Sequence, residues 1–110
     1  MNMASADREP WVVSPDHRPP ALQIVLVKQT VVLSWLQFVY AEGGDDEVRI
    51  AFASHDVILR GAGLTSLLHA ITANRVISIH EPARADLCPG RAGRFIREVI
   101  VRRAESTEAV

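Results

Sequence analysis

The stretch "VVLSWLQFVYA", residues 31 to 41, is apolar on both of its alternating sets. Val31, Leu33, Trp35 and Val39 fall on one side of an extended chain, and Val32, Leu36, Phe38 and Tyr40 fall on the other. A strand of that kind demands cover on both faces. The chain offers little cover. One helix of about eleven residues is ~16 Å long and ~10 Å wide, whereas six strands at ~4.8 Å spacing make a sheet roughly 29 Å across. The remainder of the sheet would be a large exposed apolar patch, the mark of an interface. The stretch therefore predicts burial against another protein, most simply a second copy, with Trp35, Phe38 or Tyr40 at the contact. Closure of the sheet into a small barrel is the other way to cover its inner face.

The flanking pattern supplies the rest of the sheet. Strands are expected over 22–28 and 31–41, then a Gly-Gly turn edged by acids, "YAEGGDDEV", then a strand over 47–53 with Val48, Ile50 and Phe52 inward. "VILR" reads as a fourth short strand. After Gly61 and Gly63, Leu64, Leu67, Leu68 and Ile71 recur at helical spacing, predicting one amphipathic helix over 64–74. "RVISI" is a fifth strand and "EPARADLCPGRAGR" a loop. "FIREVIVRR", 95–103, has spacing that fits a helix, but its β-branched "VIV" favours a strand. Residues 1–20 hold four prolines and no period, and are read as a mobile arm in which Trp11 docks back on the domain.

Composition closes off several classes. At 110 residues the chain supports one core, not two halves with a cleft between them. A net charge of -1 gives no global pull toward nucleic acid or membrane. The run 21–40 is apolar at fourteen of twenty positions, yet Lys28, Gln29 and Thr30 sit at its centre. Lys alone costs on the order of 3 kcal/mol there, so two strands are expected and no membrane span. Cys88 is the only cysteine, which suits a reducing compartment, and the first ten residues lack the apolar core of a secretory signal.

Five groups of residues carry chemistry worth weighing. Gly61, Gly63 and Ser66, with Glu81 twenty residues after Gly61, match a dinucleotide-binding fingerprint: a tight turn, a close backbone approach, a small residue, and an acid for the ribose. That motif needs a parallel sheet continuing on both sides. The residues before Val57 read as hairpins and only 29 follow Glu81, so ordinary turn chemistry is the expected reading. A lesser version remains, in which the helix N-terminus holds an anion. His55, Asp56, His80 and Glu81 are metal-ligating types, but only an antiparallel pairing of their strands would bring them together. The turn "EGGDDE" has four carboxylates without calcium-loop spacing and reads as a solvated tip. Residues 84–103 carry six Arg against two acids, a local net of +4, and Arg91, Arg94, Arg97, Arg102 and Arg103 are the anion or nucleic-acid candidates. Cys88 has no partner suggested by the sequence for nucleophilic work, and a spectator thiol is expected.

The sequence thus predicts an α+β fold: a single small domain over 21–104, an antiparallel-rich sheet of five or six strands in the order β-β-β-β-α-β-β with one packed helix, an arm over 1–20 and a frayed terminus over 105–110. The expected function is a non-catalytic protein-interaction or oligomerising module of the bacterial cytoplasm, with no cofactor. Anion or nucleotide binding at the Gly61–Ser66 turn is one alternative. A nucleic-acid accessory role through 84–103 is the other.

Overall fold

The computed structural model describes residues 9–82 and 94–104. Within them the chain forms β1 (Trp11–Val13), β2 (Ala21–Val25), β3 (Thr30–Ser34), a short 3-10 turn (Trp35–Gln37), β4 (Phe38–Gly43), β5 (Glu47–Phe52), β6 (His55–Ala62), α1 (Thr65–Thr72), β7 (Val76–His80) and β8 (Phe95–Arg103). The fold is α+β, with eight strands rather than five or six. They are divided between two four-stranded sheets, β1-β7-β2-β3 and β4-β5-β6-β8. Every pairing is antiparallel except β2 with β7.

The division happens inside the most apolar stretch. Residues 31–41 do not run as one strand: at Ser34 the side-chain oxygen accepts the Leu36 N–H at 3.1 Å and starts the 3-10 turn. β3 before the turn belongs to the first sheet, and β4 after it opens the second. Leu22, Ile24, Leu33 and Ile79 of the first sheet then meet Val48, Ile50, Val57 and Leu59 of the second in one buried cluster. The two sheets cover each other. Cover that a single open sheet would have needed from a second molecule comes from the chain itself.

Trp35 holds the corner. Its backbone N–H donates to the Pro20 carbonyl at 3.1 Å, and its indole N–H reaches the Val76 carbonyl at 3.1 Å. Its ring packs 5.5 Å from Phe38 and 5.5 Å from Phe52, and the two Phe rings lie edge to face at 6.1 Å. Trp35 and Phe38, expected at a contact with another molecule, are therefore half-buried packing residues of this one.

α1 buries Leu67 and Ile71, with Leu64 fully buried just before it. The helix ends two residues short of its expected limit, where Asn74 takes φ 59°, a left-handed conformation that Asn tolerates better than most residues. The segment 95–103 is strand β8, as its β-branched residues indicate. The stretch expected to be an arm contributes to the fold from residue 11 on. Trp11 is 5% exposed, β1 pairs with β7, and Ser14 N–H and the Pro15 carbonyl are both bonded to Arg75. The apolar content of "WVV" outweighs the surrounding prolines because β7 presents an edge for it to pair with. Residues 1–8 and 105–110 lie outside the described residues.

If Trp35 is the pin between the sheets, Trp35→Ala should destabilise the domain by about 3 kcal/mol, as large truncations of packed aromatics do. Trp35→Phe, which keeps a ring and loses only the indole N–H bond, should cost about 1 kcal/mol. Urea unfolding followed by tryptophan-independent circular dichroism measures both, and equal, small losses would show that the corner does not depend on the indole.

Candidate functional site

The Gly61–Ser66 turn is built from the end of β6, the start of α1 and a loop that the sequence did not place there. Gly61 lies within β6, at the register shift where β8 crosses it. A Cβ at this position would overlap the Phe95 carbonyl oxygen and sit 2.9 Å from the Ile96 Cα. Its missing side chain serves the close approach of β8. Gly63 has φ 71°, the left-handed region in which glycine is at ease, and its N–H donates to Asp45 Oδ2 at 3.2 Å. The Leu64 N–H donates to the Asp45 carbonyl at 2.9 Å, and the Gly61 N–H to the Asp46 carbonyl at 3.1 Å. The acidic turn between β4 and β5 thus lies on the loop that would have to face a pyrophosphate, and it supplies the negative charge there. Ser66 Oγ donates to the Gly63 carbonyl at 3.1 Å.

Glu81 does its work elsewhere. Its Oε1 accepts the Val27 N–H at 2.8 Å, and its own N–H donates to the Val25 carbonyl at 2.8 Å, tying the end of β7 to the β2–β3 turn. β6 pairs with β5 and β8, both antiparallel, while β7 lies in the other sheet between β1 and β2. The strand, helix and strand of the fingerprint cross between sheets and do not form the parallel unit that the motif needs.

The metal-ligating types are divided in the same way. His55, hydrogen-bonded to Ser54 Oγ at 2.8 Å, and Asp56, which accepts Arg49 at 3.1 Å, open β6 in the second sheet. His80, hydrogen-bonded to Ser78 Oγ at 2.9 Å, and Glu81 close β7 in the first. Among the described residues no three His, Cys, Asp or Glu side chains gather where an ion could be held.

The acidic turn and the basic residues are mostly used on each other. Arg49 lies between Asp56 at 3.1 Å and Glu42 at 4.0 Å, and its guanidinium stands 5.8 Å from the centre of the Tyr40 ring. Arg60 lies between Glu98 at 3.1 Å and Glu47 at 3.8 Å. Arg94 pairs with Glu9 at 3.1 Å and lies 5.3 Å over Trp11. Three of these pairs follow from strand register, Glu42 opposite Arg49, Glu47 opposite Arg60 and Arg60 opposite Glu98, which composition does not reveal. Arg97, Arg102 and Arg103 are exposed on β8, with no ion pair to a carboxylate among the described residues; Arg91 and Cys88 lie outside the described residues. Near β1, Asp16 and His17 make a small polar knot with the buried Ser14. The hydrogen bond from His17 holds the Asp16 carboxyl below its usual value of 3.8, so whatever this contact contributes is present above that pH and lost as acid protonates Asp16 below it.

Of Trp35, Phe38 and Tyr40, expected at an apolar contact, Tyr40 is exposed at the sheet corner, and it is joined there by residues the sequence did not single out for one. Leu36, at the apex of the 3-10 turn, is 92% exposed, Val39 60%, Val32 59% and Tyr40 41%. Val39 is the extra residue of a β-bulge, between Phe38 paired with Phe52 and Tyr40 paired with Ala51. The bulge turns Val39 away from the core while leaving Phe38 inside it. A shallow groove bounded by Glu9, Trp11, Val13, Ser66, Ala70 and Arg94 lies elsewhere, between β1 and α1. Among the described residues its charges are the mutually paired Glu9 and Arg94.

No family model, curated protein or solved structure matches this chain. No helix among the described residues is long and apolar enough to cross a membrane.

The placement of Asp45 is directly testable. Asp45→Ala removes the carboxylate from the Gly63 N–H and should lower stability by about 1 kcal/mol, the usual cost of losing such a side-chain bond to a turn or helix start. Millimolar NAD, NADP, FAD or ATP should leave the melting temperature of the unaltered protein where it is. A ligand at 100 times its dissociation constant would add about 2.7 kcal/mol, so an upward shift with any of them would restore the nucleotide reading.

Proposed function

We propose that this domain is a non-catalytic protein-interaction module and that it meets its partner through the sheet corner at Val32, Leu36, Val39 and Tyr40. The observation that carries this reading is the exposure of Leu36, at 92%, beside two more large apolar side chains that are more than half exposed. Scattered surface hydrophobics need no explanation, but four within nine residues of chain, on the two edge strands β3 and β4 and the turn apex that joins them, are the kind of surface that water disfavours and a partner covers. Tyr40 adds an aromatic with a polar tip, a residue type enriched at interfaces. The polar residues that enzyme or cofactor readings would employ have internal duties: Asp45 on the glycine turn, Glu81 on the β2–β3 turn, Asp56 on Arg49. The single Cys88 fits a reducing compartment such as the cytoplasm.

A photo-crosslinking amino acid placed at position 36 in living cells should give a discrete protein adduct, and the same group at His69, on the exposed side of α1, should not. Leu36→Asp should abolish binding of the crosslinked protein while changing stability by less than about 0.5 kcal/mol, since the side chain it replaces is in water already. Adducts no different between positions 36 and 69 would remove the basis for this reading.

A further inference from the structure

We infer that the outer edge of β8 pairs antiparallel with the same edge of a second copy of this chain, about a two-fold axis through Ile100. This goes beyond the interaction module proposed above and stands on different residues. Of the four strands that end the two sheets, β1 has three residues, β3 five, and β4 is broken by its bulge at Val39. β8 has a bulge of its own at Arg97, but past it Glu98 to Arg103 run unbroken, longer than the run of β4 past its bulge; β8 contains no proline and among the described residues pairs on one side only, with β6. A row of backbone N–H and C=O groups on such an edge is a template for another strand unless something blunts it.

The side chains of β8 match their own two-fold image. Pairing with β6 sets Glu98 opposite Arg60, Ile100 opposite Ile58 and Arg102 opposite Asp56. Val99, between Glu98 and Ile100, is buried, so Glu98, Ile100 and Arg102 share the outward face. In an antiparallel pair centred on Ile100, residues 98 and 102 face each other twice. Glu98 then meets Arg102 of the partner subunit, Ile100 meets Ile100 of the partner subunit, and on the inner face Val99 meets Val101 of the partner subunit. Opposite charges and like apolar groups are what directly opposed cross-strand positions favour. Shifting the centre to Val99 or Val101 sets a charged residue against Ile100 instead. Glu98 is already held by Arg60 at 3.1 Å, while Arg102 makes no ion pair with a described carboxylate, so the two-fold supplies an acid to the Arg that lacks one. Arg97 would face Arg103, but Arg97 is the bulged residue, skipped where the register passes from Arg60–Glu98 to Gly61–Ile96, and lies off the regular ladder.

The dimer would carry one eight-stranded sheet, β4-β5-β6-β8 followed by its image, with the two β4 edges and their apolar corners at opposite ends. Seven strand spacings of ~4.8 Å separate them by roughly 34 Å. Two copies of the corner patch would thus face outward on one rigid sheet.

The test uses the full chain with Cys88→Ser, so that an introduced cysteine is the sole thiol. Directly opposed residues of an antiparallel pair have Cα atoms about 4.5–5.5 Å apart, within reach of a disulfide. Ile100→Cys should form a covalent dimer under mild oxidation, and Leu36→Cys should not. Sedimentation of the unaltered chain should show a monomer–dimer equilibrium in the micromolar range. Arg102→Glu should weaken it at least tenfold, and Glu98→Arg combined with Arg102→Glu should recover most of the loss. A monomer at high micromolar concentration, or crosslinking at position 36 without crosslinking at 100, overturns the β8 pairing; the second result does so while leaving the corner as an interaction surface. A dimer crosslinked through 100 whose position 36 captures no protein in cells would uphold the pairing and remove the proposed function instead.

Discussion

The contact of the Trp35 indole with the Val76 carbonyl, and of its ring with Phe38 and Phe52, is the constraint on which this structure turns. Without a fixed bend at Ser34 the run from Val31 to Ala41 would be one strand with two apolar faces, and no element among the described residues is wide enough to cover both. The bend converts that excess into its solution. Half of the run joins the first sheet, half starts the second, and the inner faces become each other's cover. The indole is suited to the position because it offers a large apolar body to the core and one donor to a backbone carbonyl that lies at the start of β7. A Phe there would leave Val76 without that donor, and a Leu would leave Phe38 and Phe52 without their third ring.

The same bend explains how much of the fold could be read from the sequence. Period-two alternation in "VRIAFA" and the helical spacing of Leu64, Leu67, Leu68 and Ile71 are local signals, and both elements stand close to where they were expected. The 3-10 turn is not local in that sense. Nothing in "VVLSWLQFVYA" breaks the strand pattern, and Ser34 acts as a cap only because Trp35 has Pro20, Val76 and two Phe rings to reach. β1 was hidden for a related reason. Three apolar residues among prolines do not specify a strand, and they become one because β7 lies at a position that leaves an edge to pair with.

The glycine turn shows the opposite error of legibility, a pattern that is locally convincing and topologically empty. Gly61, Gly63, Ser66 and Glu81 have the spacing of a phosphate-binding turn, and two of the physical reasons behind that motif do operate: one glycine permits a close backbone approach, the other a left-handed turn. The approaching groups are the Phe95 backbone and the Asp45 carboxylate of the same chain. Thus the "EGGDDE" turn, taken alone as a solvated tip, and the "GAG" turn, taken alone as an ordinary turn with an anion site as its lesser alternative, turn out to be two halves of one internal contact. Neither half identifies the other in sequence, because what joins them is the pairing of β5 with β6, which places Glu47 opposite Arg60 and so brings the preceding acidic turn over Gly61 and Gly63.

Mutual neutralisation across strands also separates the surfaces that are spoken for from those that are not. Arg49, Arg60 and Arg94 each lie against acids, and exposed pairs of this kind add little stability, whereas Arg97, Arg102 and Arg103 on β8 have no such acid among the described residues. What remains unsatisfied is of two different kinds. The corner at Leu36 is a side-chain problem: apolar area in water, relieved by any surface of matching shape. The edge of β8 is a backbone feature: donors and acceptors in a row, open to water or to another extended strand, and best matched by one whose charges run in the complementary order. Because Glu98, Ile100 and Arg102 read as their own complement in the antiparallel sense, the partner strand proposed for β8 is β8 itself, and that pairing would leave both corners exposed for the different protein proposed to bind there.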